Sequence, residues 1–138
     1  MSQLISIVTP TFNEEENIEK LCSSIKEMMG KIKYDYEHIV IDNCSTDNTI
    51  KLLKNIASTD KKLKVILNSR NFGHIKSPVY GICQASGDAI ILMMSDFQDP
   101  IDLIPKYIAE WEKGTKVIMA QKKTSDDNFL LHLTKKVL

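Results

Sequence analysis

The sequence has no long hydrophobic run. Its longest nearly apolar stretch, Ala89 to Met94, is far below the roughly 20 residues a membrane span requires. The N-terminus also lacks a basic segment followed by an apolar one, so neither a span nor export is expected. Charge of one sign is missing as well: 18 Lys and Arg balance 18 Asp and Glu. With no global field there is no expectation of nucleic acid as a partner, and any bound anion must be held locally. Cysteine is scarce. Cys22, Cys44 and Cys83 are an odd number without C-x-x-C spacing, which excludes a disulfide framework and a zinc knuckle and points to a reducing, cytoplasmic compartment. What remains is 138 residues with 43% hydrophobic and 26% charged content, the profile of one globular domain, or a piece of one.

Short apolar runs alternate with helical patterns in the order β-α-β-α-β-α-β-α-β, so the expected fold class is α/β. The strands are expected at Leu4 to Thr9, His38 to Asp42, Leu63 to Asn68, Ala89 to Met94 and Lys116 to Ala120. Their near-continuous apolarity suits strands buried on both faces of a parallel sheet. Glu15 to Met29 places Ile18, Leu21, Cys22, Ile25, Met28 and Met29 at helical spacing. Asp47 to Ala57 repeats the pattern, with Ser45 or Thr46 where an N-cap belongs. Ile75 to Ala85 and Ile101 to Trp111 complete the helices, with Gly87 and Gly114 placed to close them.

In open parallel sheets ligands sit at the carboxyl ends of the strands, and here those segments are polar. After the first strand come Pro10, Thr11, Phe12, Asn13 and Glu14 to Glu16. The aromatic could stack on a base, while the acids could equally be favourable first-turn residues. Asp42 closes the second strand and could accept from a base or a ribose hydroxyl, or be a turn aspartate. Arg70 could neutralise a phosphate or be a solvated surface residue. His74 fits a helix start or a packing role, with no carboxylate partner identifiable in sequence. Asp96, Gln98 and Asp99 place three oxygen ligands within four residues, the hard-ligand chemistry of Mg²⁺ or Mn²⁺. The same residues before Pro100 could simply form a turn.

Taken together, Pro10-Thr11-Phe12-Asn13-Glu14, Asp42-Asn43-Cys44-Ser45-Thr46-Asp47-Asn48-Thr49, Ser69-Arg70-Asn71-Phe72-Gly73-His74, and Gly87-Asp88 leading into Asp96-Phe97-Gln98-Asp99-Pro100 resemble the family 2 glycosyltransferases of GT-A fold. The chain is most similar to their polyprenyl-phosphate branch, best known from the dolichol-phosphate mannosyltransferases. The resemblance runs from about Ile5 to at least Gln121. It implies a Rossmann-like, mostly parallel sheet with helices on both faces, within a single catalytic domain over residues 1–138 of which this is the N-terminal, donor-binding part.

The implied activity is inverting transfer of a sugar from a UDP- or GDP-sugar to a polyprenyl phosphate or a cell-surface glycan, in cell-envelope glycan biosynthesis. By the same resemblance Pro10, Phe12, Asn13 and Glu14 line the donor pocket, Asp42 contacts the base and Arg70 lies near the diphosphate. Asp96 matches the second aspartate of the family's Asp-x-Asp motif, assisted by Gln98, and Mg²⁺ or Mn²⁺ is the implied cofactor. Met94 stands where the first aspartate belongs, and Asn43-Cys44 replaces a frequent Asp-Gly pair. No catalytic base is assigned; Asp99 is the nearest candidate, and the isolated chain is expected to bind donor without transferring sugar.

Phe129, Leu130, Leu131, Leu133, Val137 and Leu138, interleaved with His132, Lys135 and Lys136, suggest a basic amphipathic helix. Membrane contact would then be peripheral, at the inner face, or made through further sequence. An uncovered fifth strand and an uncovered apolar helix face would favour pairing with another copy, a homo-oligomer. Two rivals remain. A receiver domain would need an acidic pair where Pro10-Thr11-Phe12-Asn13 stand, and a lysine after the fifth strand that Lys122 and Lys123 meet only weakly. A degenerate, non-catalytic nucleotide-binding module is kept open by Met94.

Overall fold

The computed structural model describes residues 3–121. The order is β1 (Leu4–Thr11), α1 (Ile18–Gly30), β2 (Asp35–Asp42), α2 (Thr49–Thr59), β3 (Leu63–Leu67), α3 (Gly73–Cys83), β4 (Ala89–Leu92) and α4 (Leu103–Glu112). The strands form one parallel sheet in the order β3-β2-β1-β4. The chain groups into two compact units, Met1–Leu103 and Ile104–Leu138; the sheet belongs to the first.

Sheet order fixes where the helices lie. From β1 to β2 to β3 the chain steps one way, and from β3 to β4 it returns past β1. Right-handed crossovers therefore put α1 and α2 on one face and α3 on the other. On the first face Ile18 and Cys22 of α1 join Val40, Leu53 and Leu63 in one buried cluster. On the second, α3 comes so close that a Cβ on Gly81 would meet Val8 and Ile41 side-chain carbons at 3.0 Å.

Only the inner strands are buried along most of their length. β1 beyond Leu4 and β2 beyond Tyr36 are buried, whereas β3 and β4 are partly exposed, with Leu67, Ile90 and Leu92 each more than 40% accessible. The expectation of double-sided burial therefore holds for two strands of the four, because β3 and β4 are the sheet edges among the described residues. The fifth strand expected at Lys116 to Ala120 does not form: these residues have no regular structure, and Val117 and Met119 are exposed. A strand exists only through a partner's ladder, and no neighbour pairs with this segment among the described residues. The basic amphipathic segment from Phe129 to Leu138 lies outside them.

Two helix-end expectations are also corrected. Asn48 precedes α2 without a side-chain cap. Asp47 takes that work, its Oδ1 accepting from the Thr49 amide and hydroxyl at 2.9 and 2.5 Å. Ser45 is committed elsewhere. Gly87 does not close α3, which ends at Cys83; a Cβ there would meet Ser6 Oγ at 2.6 Å and the Leu4 carbonyl at 2.8 Å, so its role is close approach to β1. Gly114 does follow α4 in the left-handed region, at φ +89°.

Candidate functional site

Pro10 lies inside the central strand, where a missing N–H would ordinarily break a ladder. Here it breaks none. In a parallel strand successive residues bond to opposite neighbours, and Val8 O accepts from Met93 on the β4 side while Thr11 O accepts from Asn43 on the β2 side. Pro10 therefore faces the β4 side, beyond the last paired residues Val8 and Leu92. At that point β1 and β4 end their ladder, and the chain order in the sheet reverses. This is the topological switch point at which α/β sheets open a crevice.

A cavity of about 370 Å³ occupies the position. Pro10, Thr11, Phe12 and Glu14 line it from the first loop, Asn43 from the second, Asn71, Gly73 and His74 from the third, and Met94, Ser95 and Asp96 from the fourth, with Ser77 and Pro78 from α3. Phe12 is 44% exposed, a ring face available for stacking. The lining contains two carboxylates, Glu14 and Asp96, and no lysine or arginine.

The loops that frame this cavity are bonded to each other. From the first loop to the second, the Asn13 amide donates to Ser45 Oγ (2.8 Å), Glu14 N–H to Thr49 Oγ1 (2.9 Å) and Glu15 N–H to Asp47 Oδ2 (3.2 Å). In return the Thr46 amide donates to Asn13 Oδ1 at 2.8 Å and the Asn48 amide to Glu15 Oε2 at 2.9 Å. Asn43 ties the second loop to the third. Its Nδ2 donates to Asn71 Oδ1 (2.9 Å) and Gly73 O (3.2 Å), and its Oδ1 accepts from the Phe72 amide (2.9 Å) and Asn68 Nδ2 (3.2 Å). That uses every donor and acceptor position of the amide.

The sequence-expected residues separate accordingly. Pro10, Phe12, Glu14 and Asp96 come together at the cavity. Asn13 stands behind it at φ 52°, in the left-handed region that asparagine tolerates. Asp42 is fully buried, and both its oxygens accept from Ser45, Oδ2 from the amide at 2.8 Å and Oδ1 from the hydroxyl at 2.5 Å. It is not among the lining residues. Arg70 is exposed with its guanidinium 4.7 Å from the Phe72 ring centre, also off the lining. In the fourth loop Gln98 N–H donates to Asp96 Oδ1 (3.1 Å) and Met94 N–H to Asp99 Oδ2 (3.3 Å); Gln98 and Asp99 do not line the cavity. Sequence reasoning assigned no part in the site to Ser77 and Pro78, which it placed mid-helix, or to Asn43, whose neighbours give no hint of four simultaneous bonds.

Among the described residues three other than glycine adopt positive φ: Asn13, Cys44 at 68° and Phe97 at 58°. All lie in loops at the carboxyl edge, where backbone strain commonly concentrates around sites. Buried away from the cavity, Cys22 has its thiol pushed up to about 12, first by burial and then by Asp60 and Glu19, and is inert.

A divalent ion was implied by the resemblance, and the residues present can be tested against it. Among the described residues no three His, Cys, Asp or Glu side chains cluster to form a protein-only metal cage. Mg²⁺ and Mn²⁺ do not need one: they are commonly held by one or two carboxylates together with substrate phosphates. Asp96 has one oxygen engaged by a backbone amide within its own loop and reaches the cavity, so the donor set fits a cation that arrives with a diphosphate.

Comparisons with known proteins agree with this geometry. The chain is 35% identical over 118 residues to a bactoprenol glucosyl transferase of Shigella phage SfV, covering 86% of this chain and 38% of that protein. It is 30% identical over 135 residues to the undecaprenyl-phosphate 4-deoxy-4-formamido-L-arabinose transferase of Proteus mirabilis, covering 97% of this chain and 41% of that one. The chain thus spans about two fifths of the length of these relatives. Among solved structures, S. aureus TarS residues 1–349 in complex with UDP-GlcNAc superposes with a TM-score of 0.61 at 25% identity, over 80% of this chain and 31% of that 1–349 chain; the fold is GT-A. The sequence model of glycosyl transferase family 2 matches residues 6–137. With the switch-point cavity and its four loops in place, that match assigns the chain to glycosyl transferase family 2.

Proposed function

We propose that this chain is the donor-binding part of an inverting transferase that moves a sugar from a UDP- or GDP-sugar to a polyprenyl phosphate at the inner face of a membrane. The observation that carries the reading is the cavity itself. It opens at the β1/β4 switch point and is lined by an aromatic face and by two carboxylates, Glu14 and Asp96, without a lysine or arginine. An apolar ligand would leave those carboxylates without a counter-charge, and a bare diphosphate would be repelled by them. A nucleoside diphosphate accompanied by a divalent cation satisfies both the ring and the carboxylates.

In this reading Phe12 stacks on the base and Pro10 sets the floor beneath it, while the cross-bonded first and second loops hold Phe12 in place. Asp42 acts through Ser45, holding the turn that receives the Asn13 amide, and does not touch the base. Asp96, with Gln98 beside it, would hold Mg²⁺ or Mn²⁺ against the donor diphosphate. The bound ion would supply charge neutralisation for the departing nucleoside diphosphate. Arg70 can reach the diphosphate only by leaving Phe72. Asp99 remains the nearest base candidate within the chain, its Oδ2 already receiving the Met94 amide. The named substrates of the phage and Proteus proteins support a polyprenyl-phosphate acceptor. We extend the proposal to self-association, supported by the exposed Ile90 and Leu92 on an edge strand.

Calorimetric titration of the chain with UDP and GDP, each with Mn²⁺ and with EDTA, tests the reading. Binding that requires Mn²⁺ is expected. Absence of binding to either nucleotide, or affinity unchanged by chelation, would contradict it.

A further inference from the structure

Thr11 is the last residue of β1 and only 4% exposed. Among the described residues its Oγ1 is the single buried side-chain nitrogen or oxygen without a hydrogen-bond partner. Such a group is costly to leave unmet, and in a native fold it calls for a partner that arrives later. Thr11 also lines the cavity, between Pro10 and Phe12.

Several neighbouring polar groups already have partners inside the chain. Asn43 is saturated by Asn68, Asn71, Phe72 and Gly73. Asp42 is occupied by Ser45, whose hydroxyl in turn accepts from Asn13. The Asn13 side chain accepts from Thr46. Glu14, whose Oε2 accepts from Asn17 Nδ2, and Asn71, His74 and Ser77 also line the cavity, but among the described residues only the Thr11 hydroxyl is both buried and without a partner. Thr11 adjoins Phe12 in the chain, whereas Asp96 lines the cavity from the fourth loop. A step between χ1 wells exchanges the threonine hydroxyl and methyl without backbone movement, turning Oγ1 toward a ligand.

We infer that the Thr11 hydroxyl is a specificity-setting contact to the nucleoside of the bound ligand, unpartnered until the nucleoside's polar edge or ribose fills the cavity. The inference rests on the donor-site reading above and adds the group that recognises the nucleoside.

Thr11→Val tests it, because the change keeps shape and removes only the hydroxyl. Affinities for UDP, GDP and inorganic pyrophosphate, each with Mn²⁺, are measured for both proteins, with thermal unfolding alongside. The expected result is about tenfold weaker nucleotide binding, unchanged pyrophosphate binding, and a melting temperature that does not fall, since the free chain has no bond there to lose. Loss confined to one nucleotide places the contact on the base; equal loss for both places it on the ribose. Unchanged nucleotide affinity overturns the inference, as does equal weakening of all three ligands. A lowered melting temperature with intact affinity also overturns it, by showing a hydroxyl already satisfied inside the free chain. If the unmutated chain binds neither nucleotide, the donor-site reading falls first and takes this inference with it.

Discussion

The two ends of the cavity are held together by different means. Beside Phe12 the loops after β1, β2 and β3 donate and accept across one another, with Asn43, Ser45 and Thr49 as the knots. Beside Asp96 the side-chain hydrogen bonds of the fourth loop run from the Gln98 amide to Asp96 and from the Met94 amide to Asp99, all within the loop. Its ties outward are the Met93 amide, which donates to Val8 O at 2.9 Å where the loop leaves the sheet, and Lys20, whose ammonium stands 5.2 Å from the Phe97 ring centre, an exposed contact worth about 0.5–1 kcal/mol. A stacking surface must be shaped before the base arrives, and bonded loops supply that shape without reorganisation. A cation-binding loop gains its missing contacts from the ion and the phosphates, so it can be loosely held in the free chain. Rigidity thus follows which partner brings the organising charge.

The contrast can be broken hardest at Asn43. Asn43→Ala removes four hydrogen bonds at a 7% exposed position and takes the acceptor from the Phe72 amide, while Asn68 Nδ2 keeps Ser77 Oγ. Unfolding in denaturant should show a loss of about 3–4 kcal/mol, together with loss of nucleotide binding.

Acid provides the next largest effect, within the sheet itself. His38 of β2 is buried with Nε2 2.9 Å from Thr9 Oγ1, and burial lowers its pKa from 6.5 to about 4, with Asp60 opposing weakly. The unfolded chain therefore binds a proton that the folded chain refuses between these values. The stabilisation is whole above pH 6.5 and is lost as pH falls toward 4, amounting to up to about 3 kcal/mol. Denaturation midpoints measured across that window should flatten in His38→Gln relative to the unmutated chain.

Ser45→Ala should cost less, about 1–2 kcal/mol by the same denaturant measurement, since it frees the Asn13 amide and one oxygen of Asp42. Nucleotide affinity should weaken with it as Phe12 loses its fixed approach. Asp96→Asn is the smallest in stability, within about 0.5 kcal/mol, because the residue is exposed and bonded only within its loop. Its effect belongs to binding: the Mn²⁺ requirement seen by calorimetry should disappear.

Much of this was legible in the chain before folding. Alternating apolar runs and helical spacing determine α/β order, and polar residues at four strand exits mark the cavity edge. Two kinds of feature escaped. The fifth strand, written as Lys116 to Ala120, depends on a neighbour to pair with, which local apolarity cannot report. Asp42 illustrates the other: an aspartate at a strand exit carries the same signal whether it faces a ligand or, as here, its own Ser45 three residues on. The spent amide of Asn43 and the open hydroxyl of Thr11 are likewise properties of a bonding network across loops, and a linear sequence does not show which partner each group will meet.

The most direct test is amide hydrogen exchange on the chain, free and with UDP plus Mn²⁺. The account predicts slow exchange at Asn13, Glu14, Thr46, Asn48 and Phe72 in the free chain, and protection of residues 94–99 only when both ligands are present. Equal protection of residues 94–99 in the free chain, or no gain there with UDP and Mn²⁺, would contradict it.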